Sequence, residues 1–204
     1  MMIKLDLSKA YDRLSWEYLK SILTAYGFNH KWINWISAMI STLVISIMLN
    51  GTPIQTFYPT RGLRQGDPLS PFLFIIVAEG LGIYIKNEAH ESRIKGLRIW
   101  GNDLSITYQQ FIDDIMLFCQ VLLREACRIK EILNTFTMAS RTQINNEKSC
   151  TFFFNTQGNV KTYLARIPGF SIGKLPTKYL GMPLLENSLK LSRWQQNLQS
   201  YKEG

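Results

Sequence analysis

The sequence predicts an α+β fold: an antiparallel sheet with helices packed on one face. Three observations carry that expectation. Short β-rich runs and 3.6-periodic stretches alternate along the chain without an internal repeat or a low-complexity segment. At 46% hydrophobic and 12% aromatic, the 204 residues can bury a real core. At 19% charged, they do not have the make-up of a disordered tail. The length fits one domain, or one and a piece.

Element by element, residues 4–7 read as a short buried strand. From Asp12 onward Leu14, Tyr18, Ile22 and Tyr26 recur at helical spacing until Gly27. A second helix covers 30–42, and Trp16, Trp32 and Trp35 read as helix-packing residues. The run 43–49 is β-rich, Asn50-Gly51 is a hairpin turn signal, and 54–58 is the returning strand. A Gly- and Pro-punctuated loop at 61–68 leads into a helix over 69–89. The run 106–118 reads as a hairpin with Asp113-Asp114 at its turn, followed by an amphipathic helix at 122–139. A strand at 150–154, a short helix at 160–166 and a further strand at 178–182 complete the pattern.

Charge and cysteine content narrow the function classes. The net charge is +8, and residues 151–204 hold seven Lys or Arg against two acids, a net of +5. A basic half beside an acidic centre suits a polyanion that must also meet a metal, although ordinary solubilising charge produces the same number. Arg93, Lys95 and Arg98 form a basic edge that reads as solvated or as a nucleic-acid backbone contact. Cys119, Cys127 and Cys150 form no CxxC pair, which favours a reducing interior over a disulfide scaffold or a zinc site. No apolar run approaches the ~20 residues of a membrane helix, and no targeting segment is read at the start.

Three segments carry chemistry. In Lys4-Leu5-Asp6-Leu7-Ser8-Lys9-Ala10-Tyr11-Asp12, Asp6 ends an apolar strand and Tyr11 follows five residues on. In Phe111-Ile112-Asp113-Asp114, two acids interrupt an apolar run. Desolvating a carboxylate costs several kcal/mol, so acids in apolar strands need a partner, and a divalent cation shared between the two segments is one. Mg²⁺ takes hard oxygen ligands from one or two carboxylates plus substrate phosphates. The third segment is Arg61-Gly62-Leu63-Arg64-Gln65-Gly66-Asp67-Pro68-Leu69-Ser70-Pro71. Its glycines permit close backbone approach to a ligand, its arginines offer forked donors for phosphate, and it runs into a helix N-terminus. Each segment has a plainer reading: a strand-end acid with a core tyrosine, a solvated turn, a helix-capping loop.

Together these segments closely resemble the reverse transcriptases of non-LTR, LINE-type retrotransposons, plant elements in particular. The likeness runs over about 3–185 and extends to Ile144-Asn145-Asn146-Glu147-Lys148-Ser149 and Tyr179-Leu180-Gly181-Met182-Pro183-Leu184. It implies a polymerase palm over 1–185, with the fingers truncated at the N-terminus, and a divergent tail or start of a thumb over 186–204. It implies RNA-templated DNA synthesis, with RNA template, DNA primer and deoxynucleoside triphosphates as partners, no membrane, and a nuclear location. Asp6, Asp113 and Asp114 would bind two Mg²⁺ ions, with Mn²⁺ as a substitute, and the Leu7 carbonyl would add a contact. Tyr11 would gate the sugar, Arg64, Gln65 and Gly66 would line the nucleotide pocket, Lys148 would protonate pyrophosphate, and Tyr179, Leu180 and Gly181 would sit under the primer end.

The chain departs from the family at two places. Ile112 stands where alanine is usual and is expected to crowd the primer terminus. Arg141 follows Ser140 where glycine is usual, in a turn expected to need positive φ. The alternative is an inactive, truncated relic with at most weak nucleic-acid binding.

Overall fold

The computed structural model describes residues 1–98, 105–180 and 182–184. In chain order the elements begin with β1 (Met2–Leu5), β2 (Leu7–Ser8), α1 (Ala10–Arg13), α2 (Trp16–Ala25), α3 (His30–Ser41), β3 (Ile45–Leu49), β4 (Thr52–Phe57) and α4 (Ser70–His90). There follow β5 (Leu97–Arg98), β6 (Ser105–Ile106), β7 (Tyr108–Phe111), β8 (Asp114–Phe118), α5 (Leu123–Ser140) and β9 (Gln143–Ile144). The last are β10 (Cys150–Phe152), α6 (Gly158–Arg166), β11 (Ser171–Ile172), β12 (Thr177–Tyr179) and β13 (Met182–Leu184).

The main sheet has the order β11-β10-β1-β8-β7 and is antiparallel except at the β10–β11 edge, which is parallel. Side chains alternate across a strand, so Ile3, Leu5, Ile115 and Leu117 share one face. On that face they join a core built from Leu73, Phe74, Val77 and Leu81 of α4, Ile129, Ile132 and Phe136 of α5, and Leu19 and Leu23 of α2. Each fully buried side chain of this size contributes about 1.5–3 kcal/mol against exposure. The opposite face carries Met2, Met116 and Phe152, covered by Tyr179 with Leu175 and Leu184 from the β12–β13 region. Helices therefore pack on one face, as the patterning predicts.

The local signals act as expected. Ser15 and Asn29 cap α2 and α3, each accepting a backbone N–H. Asn50 and Gly51 both take positive φ, the signature of a two-residue I′ hairpin. Arg141 ends α5 in the left-handed region at φ 61°, the conformation for which glycine is suited. The run predicted as one strand at 178–182 is instead the β12–β13 hairpin. Trp16 and Trp32 are half-buried, but Trp35 lies on the solvent side of α3, 58% exposed, with Lys31 Nζ 5.3 Å from its ring centre. The β3–β4 hairpin is exposed throughout. Arg93 does not form a free basic edge: it pairs with Glu88 and Glu91.

Candidate active site

The strand register brings the acids to one end of the sheet. Leu5 pairs with Ile115, so Asp6, one residue beyond, and Asp114, one residue before, end neighbouring strands on the same side. Phe111 pairs with Asp114, so the two-residue turn of the β7–β8 hairpin is Ile112-Asp113. The Asp113-Asp114 doublet does not form that turn, contrary to the sequence expectation. Ile115 and Leu117 must face the helices, and that register draws Asp114 into the strand. The turn's strain falls on Ile112, at φ 54°.

Asp6 is held by its backbone. Its N–H donates to Ser149 Oγ at 3.0 Å, and its carbonyl accepts from the Asn145 N–H at 2.8 Å. Ser149 is fully buried. These clamp residues carry no role in the sequence reading. They lie in a recognisable motif, but a separation of 143 positions hides the Asp6–Ser149 contact from any local pattern. Lys4 Nζ approaches Asp114 Oδ1 at 3.9 Å, a half-exposed pair of the kind that contributes about 0–1 kcal/mol. The Tyr179 hydroxyl donates to the Asp114 carbonyl at 3.4 Å.

Beside the acids lies a cleft of about 390 Å³ lined by Tyr11, Gln65, Gly66 and Asp113, with Ser70 and Pro71 from the first turn of α4. The Tyr11 ring stacks on Phe74 at 4.9 Å and 22°, so it is a packed ring as well as part of the cleft lining. Burial, and then the charge of Asp113, raise the Tyr11 hydroxyl above its ordinary pKa. Gln65 Nε2 donates to Asp12 Oδ1 at 3.1 Å, giving Asp12 a part the sequence left unassigned. Gly66, at φ 85°, has open space where a Cβ would stand. Gly62 differs: a Cβ there would lie 2.6 Å from the Asp12 carbonyl oxygen, so its close approach is to the chain itself and not to a ligand.

Arg64 lines a neighbouring cleft of about 650 Å³ with Arg61, Asp12 and Gln65, under the β3–β4 hairpin. Lys148 is exposed on the turn after Asn145, outside the lining of either cleft. Leu180 is exposed, at φ 50°, and Gly181 lies outside the described residues.

Among the described residues no three His, Cys, Asp or Glu groups gather closely enough to hold a metal by themselves. Asp6 and Asp114 at one sheet end, with Asp113 on the adjoining turn, still supply the hard oxygen donors Mg²⁺ prefers. That donor set fits an ion whose shell is completed by substrate phosphates and water, not an all-protein cage. No helix of the described residues is long and apolar enough to cross a membrane.

A five-stranded sheet with helices on one face and carboxylates at one strand end is the architecture of a polymerase palm. The fold is shared with telomerase from Candida albicans, solved with a fragment of telomeric RNA (TM-score 0.57, 15% identity, 76% of this chain and 27% of that one). Apo telomerase from Candida tropicalis gives a TM-score of 0.54 at 19% identity, over 72% of this chain and 29% of that one. The chain belongs to the reverse transcriptase (RNA-dependent DNA polymerase) family, whose pattern matches residues 1–184, and its relatives include non-LTR retrotransposon proteins.

It is 28% identical over 147 residues to the transposon TX1 149 kDa protein of Xenopus laevis, covering 72% of this chain and 11% of that protein. It is 27% identical over 187 residues to the Pol polyprotein of the type-2 retrotransposable element R2DM of Drosophila melanogaster, covering 87% of this chain and 17% of that one. The chain therefore spans less than a fifth of either relative.

Proposed function

We propose that the chain is the catalytic palm of an RNA-directed DNA polymerase that extends a DNA primer on an RNA template with deoxynucleoside triphosphates. The observation that carries this reading is the convergence of Asp6 and Asp114 at one end of paired strands, with Asp113 opening onto the Tyr11–Gln65–Gly66 cleft. Asp6, Asp113 and Asp114 would hold two Mg²⁺ ions. Bound there, such ions make the primer 3′-hydroxyl more acidic and neutralise the triphosphate.

The chain's own residues do the positioning. Ser149 and Asn145 fix the Asp6 backbone. Tyr11, braced by Phe74, bounds the sugar side of the cleft. Gly66 leaves room for the nucleotide, and the N-terminal end of α4 favours its phosphates. Tyr179, bonded to the Asp114 carbonyl, sits under the primer end.

Primer extension on an RNA template with Mg²⁺ tests this, comparing the chain with its Asp113→Ala variant. The expected result is extension by the former and loss of at least about 100-fold in the latter, since charge stabilisation at the reacting phosphate is the main catalytic contribution. Equal incorporation by both refutes it. A second reading, a folded but catalytically silent chain, draws on Ile112 at the turn and on the lack of a three-group metal cage among the described residues.

A further inference from the structure

Behind the β2–β9 ribbon lies a recess of about 450 Å³ between the C-terminal half of α5 and segment 168–170. Lys130 and Arg141 bring cations to it, Asn134 and Asn146 bring amides, and none of its lining residues is acidic. The two clefts at the active site differ on this point, because one includes Asp12 and the other Asp113. A helix C-terminus ordinarily repels anions. Here the terminal Ser140 carbonyl is occupied by the Ser15 N–H at 2.8 Å, and the next residue is Arg141 itself. Met138, 74% exposed on the recess wall, offers an apolar surface to a base.

The location adds to the chemistry. Ile144 lines the recess and pairs with Leu7, which lines the Asp113 cleft. Both recesses thus border one two-stranded ribbon, and neighbouring strands stand only about 4.7–4.9 Å apart.

We propose that this recess is a phosphodiester-binding site that anchors a single-stranded nucleic acid by its backbone, without base readout, beside the active site. The proposal rests on the polymerase reading but is tested without catalysis. Phosphate contacts made by Lys and Arg release counterions, so each adds to the salt dependence of binding. The full chain is titrated with a short fluorescent single-stranded RNA across a series of KCl concentrations. The variants are Arg141→Gly with Lys130→Gln, Arg141→Lys, and a control pair, Lys20→Gln with Arg124→Gln, at exposed positions elsewhere.

The Arg141→Gly change removes a charge from a left-handed position, and Lys130→Gln keeps an amide donor for the Pro168 carbonyl that Lys130 Nζ holds at 3.1 Å; an unchanged urea midpoint confirms that the variant is folded. The expected slope of log affinity against log salt is shallower by about 1.4 in the first variant, at about 0.7 per lost contact. It is expected to be unchanged in Arg141→Lys and in the control pair. An unchanged slope in the first variant, an equal fall in the control pair, or no RNA binding by the wild type overturns the proposal. Loss of extension in Asp113→Ala with an unaltered slope in the recess variant sinks the recess alone. A shallower slope in a chain that extends no primer sinks the catalytic reading alone.

Discussion

Glu88 is a buried carboxylate held between two arginines, and Glu88→Gln tests whether it is read correctly. Its carboxylate, 2% exposed at the end of α4, accepts four guanidinium N–H bonds: from Arg93 at 2.7 and 2.8 Å, and from Arg128 of α5 at 2.6 and 2.8 Å. The hydrogen bonds from Arg128 and then Arg93 hold the carboxyl down from 4.5 to about 2, against the opposing effect of burial. At about 1.4 kcal/mol per pKa unit the upper bound is about 3 kcal/mol. The two arginine side chains remain 48% and 30% exposed, so water screens part of this. We expect Glu88→Gln to cost about 2 kcal/mol at pH 7, less than the ~3–5 kcal/mol of breaking a fully buried pair.

With a urea slope of about 2–3 kcal/mol per molar, the unfolding midpoint should fall by roughly 1 M. The pH dependence gives the sharper check. A carboxyl titrating lower in the folded than in the unfolded chain stabilises fully above about pH 4.5, and that stabilisation fades as pH falls toward 2. The gap between wild type and variant should therefore be constant at neutral pH and close through that window. Coincident midpoints at pH 7, or a gap that persists at pH 2, would refute the assignment of Glu88 as the ionised hub between α4 and α5.

Two further expectations concern the loops that shape the cleft. Gly62→Ala places a Cβ 2.6 Å from the Asp12 carbonyl oxygen at a φ of 88°, so stability should fall by about 2 kcal/mol or more in thermal or urea unfolding. Ile112→Gly should do the reverse, raising stability by about 0.5–1 kcal/mol, because a left-handed L-residue costs about 1–2 kcal/mol and glycine returns part of it as unfolded-chain entropy. The turn's other support stays in place in that variant, since Gln110 Nε2 donates to the Ile112 carbonyl at 2.7 Å and Gln110 accepts from Tyr108. A destabilised Ile112→Gly would mean that the isoleucine side chain packs for more than its backbone costs.

Most elements were legible because their signals are local. Helical spacing marked α2, α4 and α5, and Asn50-Gly51 marked a turn whose φ values depend on those two residues alone. Arg141 stood out as a glycine position through the family resemblance, and the left-handed turn that ends α5 is the backbone geometry behind it. Trp35 was misread because spacing along α3 says which residues share a stripe and not which stripe meets a neighbour. The turn at Ile112-Asp113 was misplaced by one residue for a related reason: hairpin register is decided by which alternate residues reach the core, a property of the partner strand β1 and of the helices behind it.

The amino-acid order by itself marked most of the helices, the β3–β4 hairpin and the glycine-bearing loop, and singled out three acids as candidates, since propensity, capping and spacing act within a few residues. Only the tertiary structure decided that Ser149 and Asn145 clamp Asp6, that Gly62 makes room for Asp12 while Gly66 faces a cleft, and that Glu88 joins two arginines. Those are contacts between segments far apart in the chain. They exist only once the packing of hydrocarbon on one face of the sheet has chosen the register and brought polar groups into hydrogen-bonding distance.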